Sequence, residues 1–307
     1  MRITFVALAL SFLISGGGCT SMKSMSETGR LSSADRFRVT MTEGKPRPVI
    51  DGIGWVMGIP DKLLLWDRRV ENHHVGENTK ASIAEYLDSR GLNDVHVRVN
   101  EYDPAGEWRR LTQNTRISAV WRYTAGALSV VGYTLFPGRV FGGEKYNPYT
   151  NSLYVYSDVP SLGLVHGAYA YDVRSRSMPG TYAFTQELPV LSLYKETLAT
   201  REALEYLEVT GEPEELQEGY RILHPRYGAE IGGAADSFLA GRPVFQVAGA
   251  VVGHATGRWK AHSQASPSTP KREENEYVNT DDGIQQVVHR AQNDDEEVST
   301  VPQSGGF

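Results

Sequence analysis

In the stretch SDVPSLGLVHGAYAYD, residues 157–172, a strand-like run gives way to a helical pattern that carries one histidine, His166. Zinc hydrolases of the HExxH type need two histidines four residues apart on one helical face, with the intervening glutamate activating a metal-bound water. Counted from His166, the glutamate position holds Gly167 and the second histidine position holds Ala170. A zinc site normally takes three protein ligands, so one imidazole does not make one. At 100° per residue, Val165, Tyr169 and Asp172 share a face of this helix and His166 lies on the adjacent flank. An aliphatic and an aromatic side chain on that face would fill space rather than bind metal. His166 then reads either as a hydrogen-bonded or partly exposed helix histidine, or as a general base with no evident nucleophile beside it.

Glu196 is the other residue whose setting raises a chemical question. It shares a helical face with Ala199, Ala203 and Leu207, whereas Arg201, Glu205 and Glu208 point elsewhere. A carboxylate on an apolar, small-residue face needs a partner, because a lone buried charge is costly. Tyr169, His166 or an arginine could serve. The alternative is a solvent-facing acid on the helix edge.

The elements that would position these residues follow from local patterns. Leu63 to Trp66 suggests a strand. Asn78 or Thr79 can cap a helix that runs to Arg90 and stops at Gly91, with Ile83 and Leu87 on its apolar side. Val95, Val97 and Val99 alternate with His96 and Arg98, as in a half-buried strand. Glu107 to Asn114 reads as a short helix, Leu153 to Tyr156 as a strand, and the second half as helical throughout, over about 160–175, 186–209 and from Pro213 towards Gly257. Gly249, Gly253 and Gly257 recur every four residues. That spacing suits a close helix–helix contact, in a membrane or in a soluble bundle. The bundle is favoured, because the apolar run from Val244 is too short to span a bilayer and contains Gln246 and His254.

The 307 residues are 40% hydrophobic and 10% aromatic, enough for a sizeable core. Residues 263–307 hold nine acids and three bases, which accounts for the whole net charge of −6. Neither part has the basic footprint of a nucleic-acid binder, so nucleic acid is excluded as an expected partner. At the N-terminus, Arg2 precedes an apolar run from Ile3 to Ile14, too short to cross a bilayer, followed by small residues and Cys19. This pattern resembles a bacterial lipobox, with Gly16 where leucine is usual. Cys19 is the only cysteine, so no disulfide can form within the chain. The resemblance implies a signal peptide over 1–18 and acylation of Cys19, which would hold the chain on a membrane. Thr20 follows rather than aspartate, which points to the outer membrane, facing the periplasm. The composition further suggests a tether over 19–45, a folded region over 46–262 and an acidic disordered tail over 263–307.

Several segments of the folded region carry a further resemblance. LWDRRV, RVNEYDP with EWRRL, GYTLFPGRVFGGEKYNPYTNSLYVYSDVP, PGTYAF and YKETLAT with EYL look like a group of bacterial secreted or lipid-anchored proteins with a gluzincin-like, HExxH metallopeptidase domain. Aligned on Ser157-Asp158 and Asp172, the resemblance puts Val165 at the first histidine, His166 at the glutamate and Tyr169 at the second histidine. Glu196 falls at the third-ligand position, where the partner in related proteins would be zinc. It implies an α+β fold, zincin-like in layout, with a small sheet followed by a mainly helical C-terminal half. With the ligands and the base replaced, no cofactor or metal is expected. The function that follows is a non-catalytic envelope lipoprotein that binds or scaffolds, its partners a membrane through Cys19 and an envelope protein or peptide. The alternative is a hydrolase rearranged around His166, Tyr169, Asp172 and Glu196.

Overall fold

The computed structural model describes residues 38–238, 243–265, 277–280 and 283–286. The expected signal peptide, Cys19, most of the expected tether and most of the acidic tail lie outside the described residues. The first strand, β1 (Thr40–Glu43), falls inside the segment expected to be tether. Val39 is buried there and the Gly44 amide donates to the Val99 carbonyl, so structure begins before Pro46.

Two helices follow, α1 (Pro48–Met57) and α2 (Ile59–Leu65), each with proline in its first turn, where the missing N–H costs nothing. The second corrects the strand expected at Leu63 to Trp66. Leu63 is exposed and Leu65 buried, Asp61 sits in the first turn, and Trp66 ends the helix with a left-handed φ of 54°. Helix α3 (Glu77–Ser89) matches its expected bounds within a residue or two. It buries Ile83 and Leu87, and Gly91 follows it at φ 67°.

Strand β2 (His96–Val99) leads to α4 (Pro104–Gln113), capped by the Asp103 carboxylate on the Gly106 amide. Helix α5 (Ala119–Trp121) passes through a π-helical segment (Arg122–Gly126) into α6 (Ala127–Leu135), and α7 (Gly138–Phe141) follows. Strands β3 (Lys145–Asn147) and β4 (Ser152–Val155) form a hairpin. The helical half consists of α8 (Pro160–Arg174), α9 (Pro179–Thr185), α10 (Pro189–Thr210), α11 (Pro213–Phe238) and α12 (Val244–Ala265). The single long helix expected from Pro213 is therefore two helices, α11 and α12. Beyond them, β5 (Tyr277–Thr280) and β6 (Gly283–Gln286) pair antiparallel within the acidic segment.

The first four strands form one sheet in the order β1-β2-β4-β3. β2 runs parallel to both β1 and β4, and only β3 is antiparallel. Parallel neighbours need long crossovers, here made by α1–α3 and by α4–α7, and such crossovers cover a sheet's faces. β2 is consequently an interior strand rather than the half-buried one its alternation suggests. Arg98 is buried, with its Nε 2.8 Å from the buried Glu107 and its Nη1 2.8 Å from Glu101. The main core joins β2 and β4 to α3, α8, α10 and α11, while Leu111, Ile117, Val130, Tyr149 and Ala183 form a second cluster. The chain is thus α+β, with a small sheet and a helical C-terminal half.

Helices α11 and α12 pack backbone to backbone. A Cβ at Gly249 would lie 2.0 Å from the Gly228 carbonyl oxygen, and one at Gly253 would lie 2.4 Å from that of His224. The four-residue glycine spacing thus serves a helix pair. No helix among the described residues is long and apolar enough to cross a membrane.

Candidate functional site: a buried ion pair beside an acidic cavity

Helix α8 starts where the sequence places it. Pro160 occupies its first turn, and the preceding Asp158 carboxylate accepts from the Gly76 amide (2.8 Å) and the Thr79 hydroxyl (2.7 Å), which ties the start of α8 to the start of α3. Val165 and Tyr169 face the core, at 1% and 6% exposure. Gly163 and Gly167 let Ile83 and Tyr86 of α3 press directly on the α8 backbone. Tyr169 sets its ring edge-on to Tyr146 and lies 5.0 Å from the Lys195 ammonium. Its hydroxyl is buried without a hydrogen-bond partner. The two inward positions therefore pack, as the helical geometry suggested, but Tyr169 makes no hydrogen bond to Glu196.

Glu196 is buried and its partner is an arginine. Arg226 of α11 donates from Nη1 to Oε2 at 2.7 Å, and the Lys195 ammonium lies 3.7 Å from Oε1. Burial pushes the Glu196 carboxyl up, but Arg226, with His166 and Lys195 behind it, outweighs burial and brings it down to about 2. The half-buried His166 ring is pushed to about 3, by desolvation first and by Arg226 second, so it is neutral at pH 7. Asp172 is not part of this group. Its carboxylate takes the Arg176 guanidinium and the Tyr182 hydroxyl at the C-terminal end of α8. The constellation His166–Tyr169–Asp172–Glu196 is therefore divided: His166 and Glu196 gather around Arg226, Tyr169 packs, and Asp172 serves the α8–α9 junction.

On the other side of Arg226 lies a cavity of about 210 Å³. Its polar lining includes Glu71, Glu144, His166, Arg226 and Glu230, and Leu64, Leu65 and Leu162 are among its apolar walls. Glu71 sits in the loop between α2 and α3 with a left-handed φ of 48°, which a non-glycine residue adopts only under constraint. Its amide donates to Ser157 Oγ at 2.7 Å, and Lys62 Nζ donates to its carbonyl at 3.2 Å. Gly142 must be glycine, because a Cβ there would lie 2.2 Å from Glu71 Oε1 and its own φ is 77°. Burial, together with the charges of Asp61 and Glu144, raises the Glu71 carboxyl to about 7. Burial also raises Glu230, against the pull of Arg226. Glu144 accepts from the Ser157 amide at 2.6 Å and the Tyr156 amide at 3.3 Å.

Sequence reasoning missed Glu71, Glu144, Arg226 and Glu230, which come from three separate segments. The only local cue is that Glu144 lies inside the run GEKYNPYT. His73 and His74 adjoin in the sequence but do not face the same way. His73 is turned inward, with both ring nitrogens buried and unpartnered, while His74 is exposed.

The residues present do not fit zinc. Val165 and Tyr169 offer no imidazole on the inward face of α8, and the Glu196 carboxylate is occupied by a guanidinium. Among the described residues, no group of three or more His, Cys, Asp or Glu side chains is placed to hold a metal ion. No family model, curated protein or solved structure matches the chain.

Proposed function

We propose that this chain is an envelope lipoprotein, acylated at Cys19 and held at the outer membrane, whose zincin-like domain binds or scaffolds instead of cleaving. The observation that carries the reading is the Glu196–Arg226 pair. At the position where the resembling peptidases hold a metal, an internal guanidinium supplies the positive charge and the neighbouring inward side chains are hydrocarbon and phenol. The layout supports it as well. A hairpin with an antiparallel edge strand precedes α8, and a later helix brings in Glu196. A peptide or envelope-protein ligand would enter through the cavity beside His166.

Two measurements on the full-length protein test the proposal. Elemental analysis is expected to find no stoichiometric metal; stoichiometric zinc that is lost in Glu196→Ala overturns the non-catalytic reading. Metabolic acyl labelling is expected to vanish in Cys19→Ser, and label that persists overturns the lipoprotein reading. One observation favours hydrolysis at a rearranged site instead. Glu71, held near neutrality in the cavity that His166 lines, could exchange protons at pH 7. That reading requires a hydrolytic activity lost in both Glu71→Gln and His166→Ala.

A further inference from the structure

Helix α1 carries its apolar stripe on the wrong side for a core helix. Val49, Ile53, Val56 and Met57, spaced by four, three and one, share a face. They are 77%, 51%, 56% and 49% exposed. The opposite side of α1 is fixed to the domain. A Cβ at Gly54 would lie 2.3 Å from the Arg139 carbonyl oxygen, and the Arg139 guanidinium holds Asp51 at 2.5 Å. The stripe is therefore held outward by the fold.

The elements next to α1 also carry exposed apolar residues. Along the chain come Leu63 and Trp66, and Trp66 stacks on His254 of α12 at 4.1 Å, under the Arg258 guanidinium. Across α7, which packs on α1, Phe141 meets Phe136 edge-on, and both are exposed. Basic residues flank this face. Lys45 and Arg47 directly precede α1, Arg68 follows Trp66, and Arg258 covers it, all of them exposed.

We infer that this face, centred on α1 and α2, rests on the phospholipid surface of the membrane to which Cys19 is attached. The inference rests on the lipoprotein reading above. Three features select lipid as the occupant. Only 18 residues separate Cys19 from Arg38, so an acylated Cys19 confines the domain to within roughly 60 Å of the bilayer. The outward stripe lies in the first helix after that segment, on the part of the domain that the tether brings closest along the chain. An aliphatic stripe with tryptophan at its end and arginine and lysine at its margin matches the boundary between acyl chains and anionic headgroups.

The test uses the full-length protein reconstituted into vesicles of phosphatidylethanolamine and phosphatidylglycerol with brominated acyl chains. Contact predicts quenching of tryptophan emission, with Trp66→Phe removing much of the quenchable signal. Ile53→Asp with Val56→Asp, both at exposed sites, is expected to lower the quenched fraction by about half or more while acylated protein stays on the vesicles. Arg47→Glu, or vesicles without phosphatidylglycerol, should lower it as well. Unchanged quenching in the aspartate variant, with Cys19 acylated, overturns the membrane face and leaves the lipoprotein reading standing. A dimer that shields Trp66 from the bromolipid and dissociates in the aspartate variant also overturns it, in favour of a second copy. Absence of acyl label at Cys19 removes the lipoprotein reading, and quenching of vesicle-bound protein then decides the face by itself.

Discussion

Removing one partner of the Glu196–Arg226 pair should be among the most damaging single changes in the helical half. In Arg226→Met the carboxylate of Glu196 keeps its burial and loses its strongest partner. Breaking a buried pair in this way costs about 3–5 kcal/mol, because an uncompensated charge is left behind. The carboxyl itself gives a second route to the magnitude. A glutamate held at about 2 instead of its ordinary 4.5 contributes on the order of 3 kcal/mol. The sign follows from the depressed value: the contribution is complete above about pH 5.5 and is lost as pH falls towards 2. Urea denaturation followed by tryptophan fluorescence, at intervals from pH 3 to pH 7, checks both parts. Glu196→Gln and Arg226→Met should each destabilise strongly at pH 7, and the gap to the parent protein should narrow by roughly half by pH 3. The double variant should regain most of the loss, with a coupling of roughly 2 kcal/mol or more in the cycle. A coupling below about 0.5 kcal/mol, or a cost for Glu196→Gln that is independent of pH, would refute the view of Arg226 as the charge that fills this site.

Three more outcomes follow from the same geometry. Glu71 has a folded value near 7, above its ordinary 4.5, so stability should be lost as pH rises from about 4.5 through 7. Glu71→Gln should remove that loss, gaining up to roughly 3 kcal/mol at pH 8 relative to pH 4 in paired urea titrations. Tyr169→Phe removes a buried hydroxyl with no partner, so it should be neutral or stabilising by about 1 kcal/mol, and a loss of more than that in thermal or urea denaturation would show a hidden partner. Gly253→Ala drives a Cβ into the α11 backbone at 2.4 Å and should cost about 1–3 kcal/mol. Gly52→Ala, where nothing lies within 4 Å, should gain up to about 1 kcal/mol from helix propensity, and equal effects on melting would contradict the tight α11–α12 contact.

What the sequence made legible was mostly local. Gly91 ended α3 and Pro160 opened α8 as their types require, and the face of Val165 and Tyr169 turned inward as helical spacing dictated. The need of Glu196 for a partner was also legible, since a carboxylate among alanines has to be compensated. Which partner it takes was not, because Arg226 is 30 residues away and nothing in its surroundings marks it as an inward arginine. Four adjacent apolar residues, Leu63 to Trp66, carry no periodicity that separates strand from helix. There the helix was decided by Pro60, Asp61 and packing against α11 and α12. The cavity was the least legible feature. Glu71, Glu144 and Glu230 meet only through tertiary structure, and the carboxyls of Glu71 and Glu230 are raised first of all by burial.

The edge strand β1 has a mechanical consequence. It is the first described element after the N-terminal segment, and it meets the sheet through only four residue pairs, Thr40 to Glu43 against His96 to Val99. Its side-chain ties are the Lys80–Glu43 ion pair and the bonds of Thr42 to His96 and Glu101. Force transmitted along the N-terminal segment reaches Val39 and these contacts before the rest of the main core. β1 is thus the fuse of the domain: a pull strong enough to peel it away leaves β2, β4 and the helices behind them still assembled.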